Sequence, residues 1–184
     1  MRAFVAVDAK SAEIAKLQEE MMSYSGWSAR EVRPVSPDNF HFTLLFLGET
    51  SDAQAEKVKE KLAGIKFEPF SITYTGVGAF PSVSNARAIW VGVDDEGAQK
   101  LQALAAQVVS KMSEAGFRPD KPFSPHLTIF RAKNRHVRVN VEKYARTFGT
   151  DRIDAMHLKK SDLAPSGPTY SNIYTVSAAL DGRA

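Results

Sequence analysis

The chain of 184 residues contains no cysteine, which excludes disulfide bonds, thiol nucleophiles and cysteine-based zinc sites. No apolar run approaches the ~20 residues that a membrane-spanning helix needs. The apolar run at residues 4–7 is too short for the core of a signal peptide, so it predicts a first strand and a cytoplasmic location. The net charge is only +3, which permits a polyanionic partner but does not require one.

Strand and helix patterns alternate along the chain without a linker, so we expect one bilobal α+β domain over residues 1–184. Helices are predicted after Ser11, after Ser51, which has capping-box spacing to Gln54, and along an apolar stripe that ends at Gly116. A fourth, short helix is predicted at about residues 141–148. Strands are predicted at residues 2–7, 41–47, 70–77, 86–93, 126–130, 153–163 and 173–180.

One short motif occurs twice: a histidine is followed two residues later by a threonine and then by an aliphatic residue, at residues 41–44 and 126–129. Because side chains alternate along a strand, His41 and Thr43 share one face, and so do His126 and Thr128. The residues between them point into a core. Two such strands facing each other would bring together two imidazoles and two hydroxyls, a set that suits acid–base chemistry on a phosphate ester.

Hydrolysis of a phosphodiester needs a base for the attacking water, an acid for the departing oxygen, and donors to the phosphoryl oxygens. Histidine performs either proton transfer near neutral pH, and a threonine hydroxyl can donate to phosphate. Arg131, close behind His126, adds a guanidinium whose fork suits phosphate. Strict alternation puts Arg131 on the opposite face, so we expect it to reach the site from the strand end or a bend. Neither motif has metal-ligand spacing, so we expect no metal and no cofactor.

Other polar and aromatic residues have plainer interpretations. His136 is expected on a solvated basic loop, and His157 is expected to face water on a late strand. The basic stretch from Arg131 to Arg138 either keeps the surface soluble or holds an RNA backbone. The aromatic residues Phe80, Trp90 and Tyr170 could stack on a base, although aromatic residues in strands more often belong to the core.

The paired motifs and their flanks resemble the 2H phosphoesterase superfamily and, within it, the RNA 2′,3′-cyclic phosphodiesterases, the 2′–5′ RNA ligase-like proteins of LigT/ThpR type. The resemblance covers nearly the whole chain and is carried by residues 1–8, 39–48, 76–81, 89–93, 125–131, 158–161, 167–168 and 170. The second motif departs from the family pattern at Ile129 and Phe130, where a leucine and a small residue are usual. By strand parity we expect Phe130 to narrow the site or to offer a stacking surface.

The resemblance implies two antiparallel sheets that face each other across a central groove, with helices on their outer faces. It implies metal-independent hydrolysis of an RNA terminal 2′,3′-cyclic phosphate to a 2′-phosphate, and the reverse 2′–5′ ligation as a second possible reaction. By analogy His126 is the proton acceptor and His41 the proton donor, while Thr43, Thr128 and Arg131 hold the phosphate. The expected partner is an RNA or nucleotide with a cyclic phosphate end, bound by a monomer away from any membrane.

Two alternatives remain open at the level of the sequence. The first is a non-catalytic protein that binds RNA ends through the groove and the basic stretch. The second is a related 2H enzyme that acts on a small cyclic nucleotide or on ADP-ribose cyclic phosphate. Turnover of a cyclic-phosphate RNA separates the first alternative from the main hypothesis, and relative rates on oligonucleotides and mononucleotides separate the second.

Overall fold

The computed structural model describes residues 1–133, 136–164 and 167–179, which form nine strands and three α-helices. The strands are β1 Arg2–Asp8, β2 Val32–Pro34, β3 His41–Glu49, β4 Phe70–Phe80, β5 Ala88–Val93, β6 Leu127–Ala132, β7 Thr147–Ile153, β8 Ala155–Ala164 and β9 Gly167–Ser177. The helices are α1 Ala12–Tyr24, α2 Asp52–Ala63 and α3 Asp95–Glu114.

The strands form two antiparallel sheets, each of which takes strands from both halves of the chain. The first sheet has the order β3-β1-β8-β9 and carries the first motif; the second has the order β2-β6-β5-β4-β7 and carries the second motif. The predicted bilobal α+β architecture is confirmed. The two lobes are nevertheless interleaved in sequence rather than being consecutive halves.

The helices cover the outer faces of the sheets. Helix α1 packs on β6 and β7, α3 packs across β3 and β4, and α2 packs on α3 and β9. The capping box predicted at Ser51 and Gln54 is present. The side chain of Ser11 does not cap helix α1, and the carboxylate of Asp151 accepts hydrogen bonds from the backbone N–H groups of Lys10 and Ser11, just before the helix begins. No helix in the described part of the chain is long and apolar enough to cross a membrane.

The predicted helix at residues 141–148 is wrong. Only Glu142–Tyr144 forms a 3₁₀ turn, and the chain then enters β7, which pairs with β4. Gly149 in β7 has a φ of +110°, which no α-helix contains. Pairing with β4 therefore decides the structure of a segment whose local pattern is ambiguous. The three-residue strand β2 was not predicted, since it is short and ends in a proline.

Candidate active site

A groove of about 820 Å³ runs between the two sheets, and the two motif strands β3 and β6 contact each other across it. All five side chains singled out in the sequence line this groove: His41, Thr43, His126, Thr128 and Arg131. The two histidines therefore come from different sheets but line one groove. The faces that lie behind them, with Phe42, Leu44, Leu127 and Ile129, are buried in the core, as alternation predicts.

Each motif histidine is anchored by the same local hydrogen bond. Nδ1 of His41 lies 2.7 Å from the carbonyl oxygen of Asn39, and Nδ1 of His126 lies 2.7 Å from the carbonyl oxygen of Ser124. A carbonyl oxygen only accepts, so Nδ1 must carry the proton that it donates. In the neutral ring Nε2 is then left with a free lone pair. Both rings thus present the same nitrogen for proton transfer.

The charge of His41 is set by burial and by the groups around it. Burial lowers the pKa of His41 to about 4, because the imidazolium loses its hydration. The hydrogen bond to Asn39 and the charge of Asp8 act in the opposite direction, whereas Lys159 and Arg131 lower the pKa further. His41 is therefore neutral in the free protein at neutral pH.

The second histidine has a related but simpler environment. Burial lowers the pKa of His126, its hydrogen bond to Ser124 raises it, and the positive charge of Arg131 lowers it. Arg131 thus acts electrostatically on both imidazoles, with which it lines the same groove.

A β-bulge brings Arg131 to the groove. In the pairing of β5 with β6, Trp90 lies opposite Thr128 and Ile89 lies opposite Phe130, so Ile129 is an extra residue without a partner. The extra residue reverses the alternation that follows it. Arg131 consequently points to the same side as Thr128. The bulge is the bend through which we expected Arg131 to reach the site.

The same bulge makes the expectation for Phe130 wrong. Phe130 has no solvent exposure and its ring packs edge-on against Trp27, with 5.6 Å between the ring centroids. It neither narrows the groove nor offers a stacking surface. Side chains do not alternate strictly across a β-bulge, and nothing in the local sequence of this segment predicts a bulge.

The first motif strand contains a matching bulge. Ala6 pairs with Thr43 and Val5 pairs with Leu45, so Leu44 is the extra residue at the position that corresponds to Ile129. Phe46 therefore corresponds to Arg131 and also lines the groove, where 64% of its surface is exposed. The two walls are built alike, but one presents a guanidinium and the other an aromatic ring.

Aromatic rings hold each histidine from the side. Phe4 and Tyr170 lie with their ring centroids 5.1 Å from that of His41. Phe80 and Trp90 lie 5.0 and 6.3 Å from His126. The three aromatic residues weighed in the sequence as base platforms or core residues thus pack directly on the imidazoles, a role that strand pattern alone does not predict.

Comparisons with known proteins identify the family. The family model described as LigT like Phosphoesterase matches the chain twice, at residues 5–90 and 91–172, with one His-x-Thr motif in each match. The chain belongs to the LigT-like phosphoesterase family. A curated relative from Archaeoglobus fulgidus, named RNA 2′,3′-cyclic phosphodiesterase, is 40% identical over 176 residues, which cover 94% of this chain and 98% of the relative.

Solved structures share this fold. A protein from Thermus thermophilus is 30% identical and has a TM-score of 0.77, covering 96% of this chain and 97% of its own. Escherichia coli LigT complexed with 3′-AMP has a TM-score of 0.78 at 24% identity, covering 97% of this chain and 98% of its own. The latter likeness supports the fold.

The groove of this LigT-like protein is also lined by arginines that the sequence did not single out. Arg2, Arg33 and Arg118 lie on its walls together with Arg131. They come from separate segments, so no basic run in the sequence signals them. Among the described residues, no cluster of three or more histidine, aspartate and glutamate side chains is placed to hold a metal ion.

Of the remaining predictions from the sequence, the one for His136 is confirmed and the one for His157 is wrong. His136 is exposed, as expected. His157 was expected to face water, and this is wrong: its side chain is 12% exposed, and its Nδ1 lies 2.9 Å from the hydroxyl of Thr175. In the basic stretch, Lys133 donates a hydrogen bond to the carbonyl of Ala29, while residues 134–135 lie outside the described residues.

Proposed function

We propose that this protein hydrolyses the terminal 2′,3′-cyclic phosphate of an RNA to a 2′-phosphomonoester by a two-histidine acid–base mechanism. The observation that carries the proposal is the pair of motif histidines on opposite walls of one groove, each with Nδ1 tied to a backbone carbonyl. The name of the Archaeoglobus fulgidus relative supports the choice of substrate.

In the proposed reaction, Nε2 of His126 takes a proton from the attacking water as its oxygen bonds to phosphorus. The bond between phosphorus and the 3′ oxygen breaks, and His41 gives its proton to that oxygen. Thr43, Thr128 and Arg131 donate hydrogen bonds to the non-bridging oxygens, where negative charge accumulates. The assignment of His126 as the base follows the family resemblance, because the charge of Arg131 lowers the pKa of both imidazoles alike.

The proton donor must acquire its proton when the substrate binds, because the pKa of about 4 leaves His41 neutral in the free enzyme at pH 7. A cyclic phosphate carries one negative charge next to the imidazole. That charge favours the imidazolium and raises the pKa of His41 in the complex. Substrate binding thereby prepares the acid.

The dimensions and lining of the groove favour an RNA end over a mononucleotide. Arg2, Arg33 and Arg118 lie apart from the motif residues in sequence and offer guanidinium groups to further phosphates of the strand. Phe46 offers an exposed ring on which a base can stack. A binding site for a mononucleotide alone would not require this many cations.

The decisive experiment follows the fate of an RNA oligonucleotide with a 2′,3′-cyclic phosphate end. We expect the wild-type protein to leave the phosphate on the 2′ oxygen. His41→Ala and His126→Ala should each lower kcat by at least ~10²-fold without unfolding the protein, as general acid–base groups do. His136→Ala, which alters an exposed histidine, is the matched control and should retain full activity.

Three outcomes would contradict the proposal. Wild-type turnover in both histidine variants would remove the mechanism, and binding of the RNA without any turnover would favour the non-catalytic RNA-end binder. Inhibition by EDTA that zinc or manganese reverses would contradict the metal-independent reaction.

The same histidines can run the reaction backwards and join a cyclic phosphate end to a 5′-hydroxyl, although water favours hydrolysis. The monomeric state and the cytoplasmic location stay predictions.

A further inference from the structure

A partly buried ion pair lies on the strands beside His41. Asp8 on β1 is the direct cross-strand partner of His41 on β3. Nζ of Lys159 on β8 lies 2.7 Å from Oδ1 of Asp8 and 2.7 Å from Oδ1 of Asn172. Lys159 is only 6% exposed, which is unusual for a lysine and costs hydration that its partners must replace.

This cluster has one further member. Nε2 of His157 lies 3.4 Å from Oδ2 of Asp8, while its Nδ1 is close to the hydroxyl of Thr175. Burial lowers the pKa of His157, while the charge of Asp8 acts in the opposite direction, so His157 is uncharged near neutral pH. The charged members of this cluster near neutral pH are then Asp8 and Lys159.

The two motif histidines differ in the charged groups that surround them. Four groups act on the charge of His41 from the surrounding elements: the carbonyl of Asn39, Asp8 of β1, Lys159 of β8 and Arg131 of β6. The charge of Arg131 and the carbonyl of Ser124 act on His126. A carboxylate therefore distinguishes the surroundings of His41, the ring that must be protonated before it can give a proton to the departing oxygen.

We propose that Asp8, held in place by Lys159, is a positioning residue that controls when His41 carries its proton. This inference rests on the proposed function. The antiparallel register sets the two residues opposite each other on neighbouring strands, and the charge of Asp8 acts to raise the pKa of His41. Lys159 prevents Asp8 from turning away and limits its negative charge, so that His41 is protonated on substrate binding rather than permanently.

Electrostatics predicts opposite effects for the two partners. Asp8→Asn leaves the positive charge of Lys159 unopposed and makes His41 harder to protonate. Lys159→Met leaves the negative charge of Asp8 unopposed and makes His41 easier to protonate. The double variant removes both charges and should return His41 close to its wild-type behaviour. A merely structural pair would instead lose activity in the same direction in both single variants.

The test measures kcat against pH with a saturating cyclic-phosphate RNA, together with an NMR titration of the His41 ring. We expect the alkaline limb of kcat to move down by about one pH unit in Asp8→Asn and up by about one pH unit in Lys159→Met. One pH unit is a tenfold change in the protonated fraction. Lys160→Met, which removes the partly exposed partner of Asp162, is the control and should leave the profile unchanged.

Shifts in the same direction for both partners, or no shift in either, would overturn the inference. If Asp8→Asn does not fold, Lys159→Met and Lys159→Gln still predict the upward shift. If the wild-type protein has no turnover, the proposed function has failed, but the NMR titration of His41 still decides whether the ion pair controls its protonation.

Discussion

The side-chain amide of Gln18 donates a hydrogen bond to the backbone carbonyl of Ile129, with 2.6 Å between Nε2 and O. Ile129 is the extra residue of the bulge in β6, so β5 does not pair with it. Gln18 also donates to the carbonyl of Val35, whose own N–H bonds the same carbonyl of Ile129. A buried amide on α1 therefore stabilises the bulge that turns Arg131 into the groove.

Replacing this amide tests the connection between the bulge and the site. Gln18→Met keeps the volume but removes both hydrogen bonds, and it should cost about 1–3 kcal/mol of unfolding free energy, measured with urea. Arg131 loses part of its support, so kcat/KM should also fall. Gln102→Met, at an exposed position of α3, is the matched control and should change neither quantity. If Gln18→Met is destabilised but keeps its kcat/KM, the support of the bulge by Gln18 does not contribute to catalysis.

The lack of a side chain at Gly78 makes room for Trp90, one of the aromatic rings that pack against His126. A Cβ atom at Gly78 would lie 2.2 Å from Cζ2 of Trp90, whose ring packs near His126. Gly78→Ala should displace Trp90, cost about 1–3 kcal/mol and lower kcat by at least ~10-fold through misplacement of the imidazole. Gly64→Ala, where a Cβ meets only ordinary contact at 3.5 Å, is the comparison in the same assay. Equal activity in both variants would contradict a role of Trp90 in holding His126.

The pH dependence of kcat/KM follows from the environments of the two histidines. This quantity reports the free enzyme, in which burial lowers the pKa of His41 to about 4 and also lowers that of His126. In the proposed mechanism one histidine is neutral and the other protonated, so kcat/KM should be greatest below about pH 6.5 and fall as the pH rises further. The kcat profile should extend to higher pH, because bound phosphate favours the imidazolium. A kcat/KM maximum above about pH 7.5 would be incompatible with these environments.

Stability should also depend on pH through His41. Its pKa is lower in the folded protein than the ordinary 6.5, so the unfolded chain binds the proton more tightly. The contribution to stability is present above about pH 6.5 and is lost as the pH falls towards 4, by at most about 3 kcal/mol. Urea unfolding at pH 7 and pH 4.5 should show a smaller loss in His41→Gln than in the wild type. Identical losses would mean that His41 is not desolvated in solution.

The sequence predicted the parts of this site that depend on local alternation. His41 with Thr43 and His126 with Thr128 each share a face because they lie two residues apart in a strand, whatever the rest of the fold does. The same rule failed for Phe130, because a single extra residue at a bulge reverses it. It also failed at residues 147–153, where pairing with β4 overrides a weak local preference. His157 was misjudged because its partners, Asp8 and Thr175, belong to other strands whose positions the local pattern does not reveal.

The amino-acid sequence by itself determined the chemistry on offer, namely two imidazoles, two hydroxyls and no thiol, since side-chain identity and strand period are local properties. Tertiary structure decided how that chemistry is arranged and charged. The interleaved sheets bring the two motifs to one groove, the paired bulges select Arg131 and Phe46 to line it, and burial beside Asp8 and Lys159 sets the charge of His41. These features depend on contacts between residues distant in the chain, and hydration and charge interactions act only once those contacts have formed.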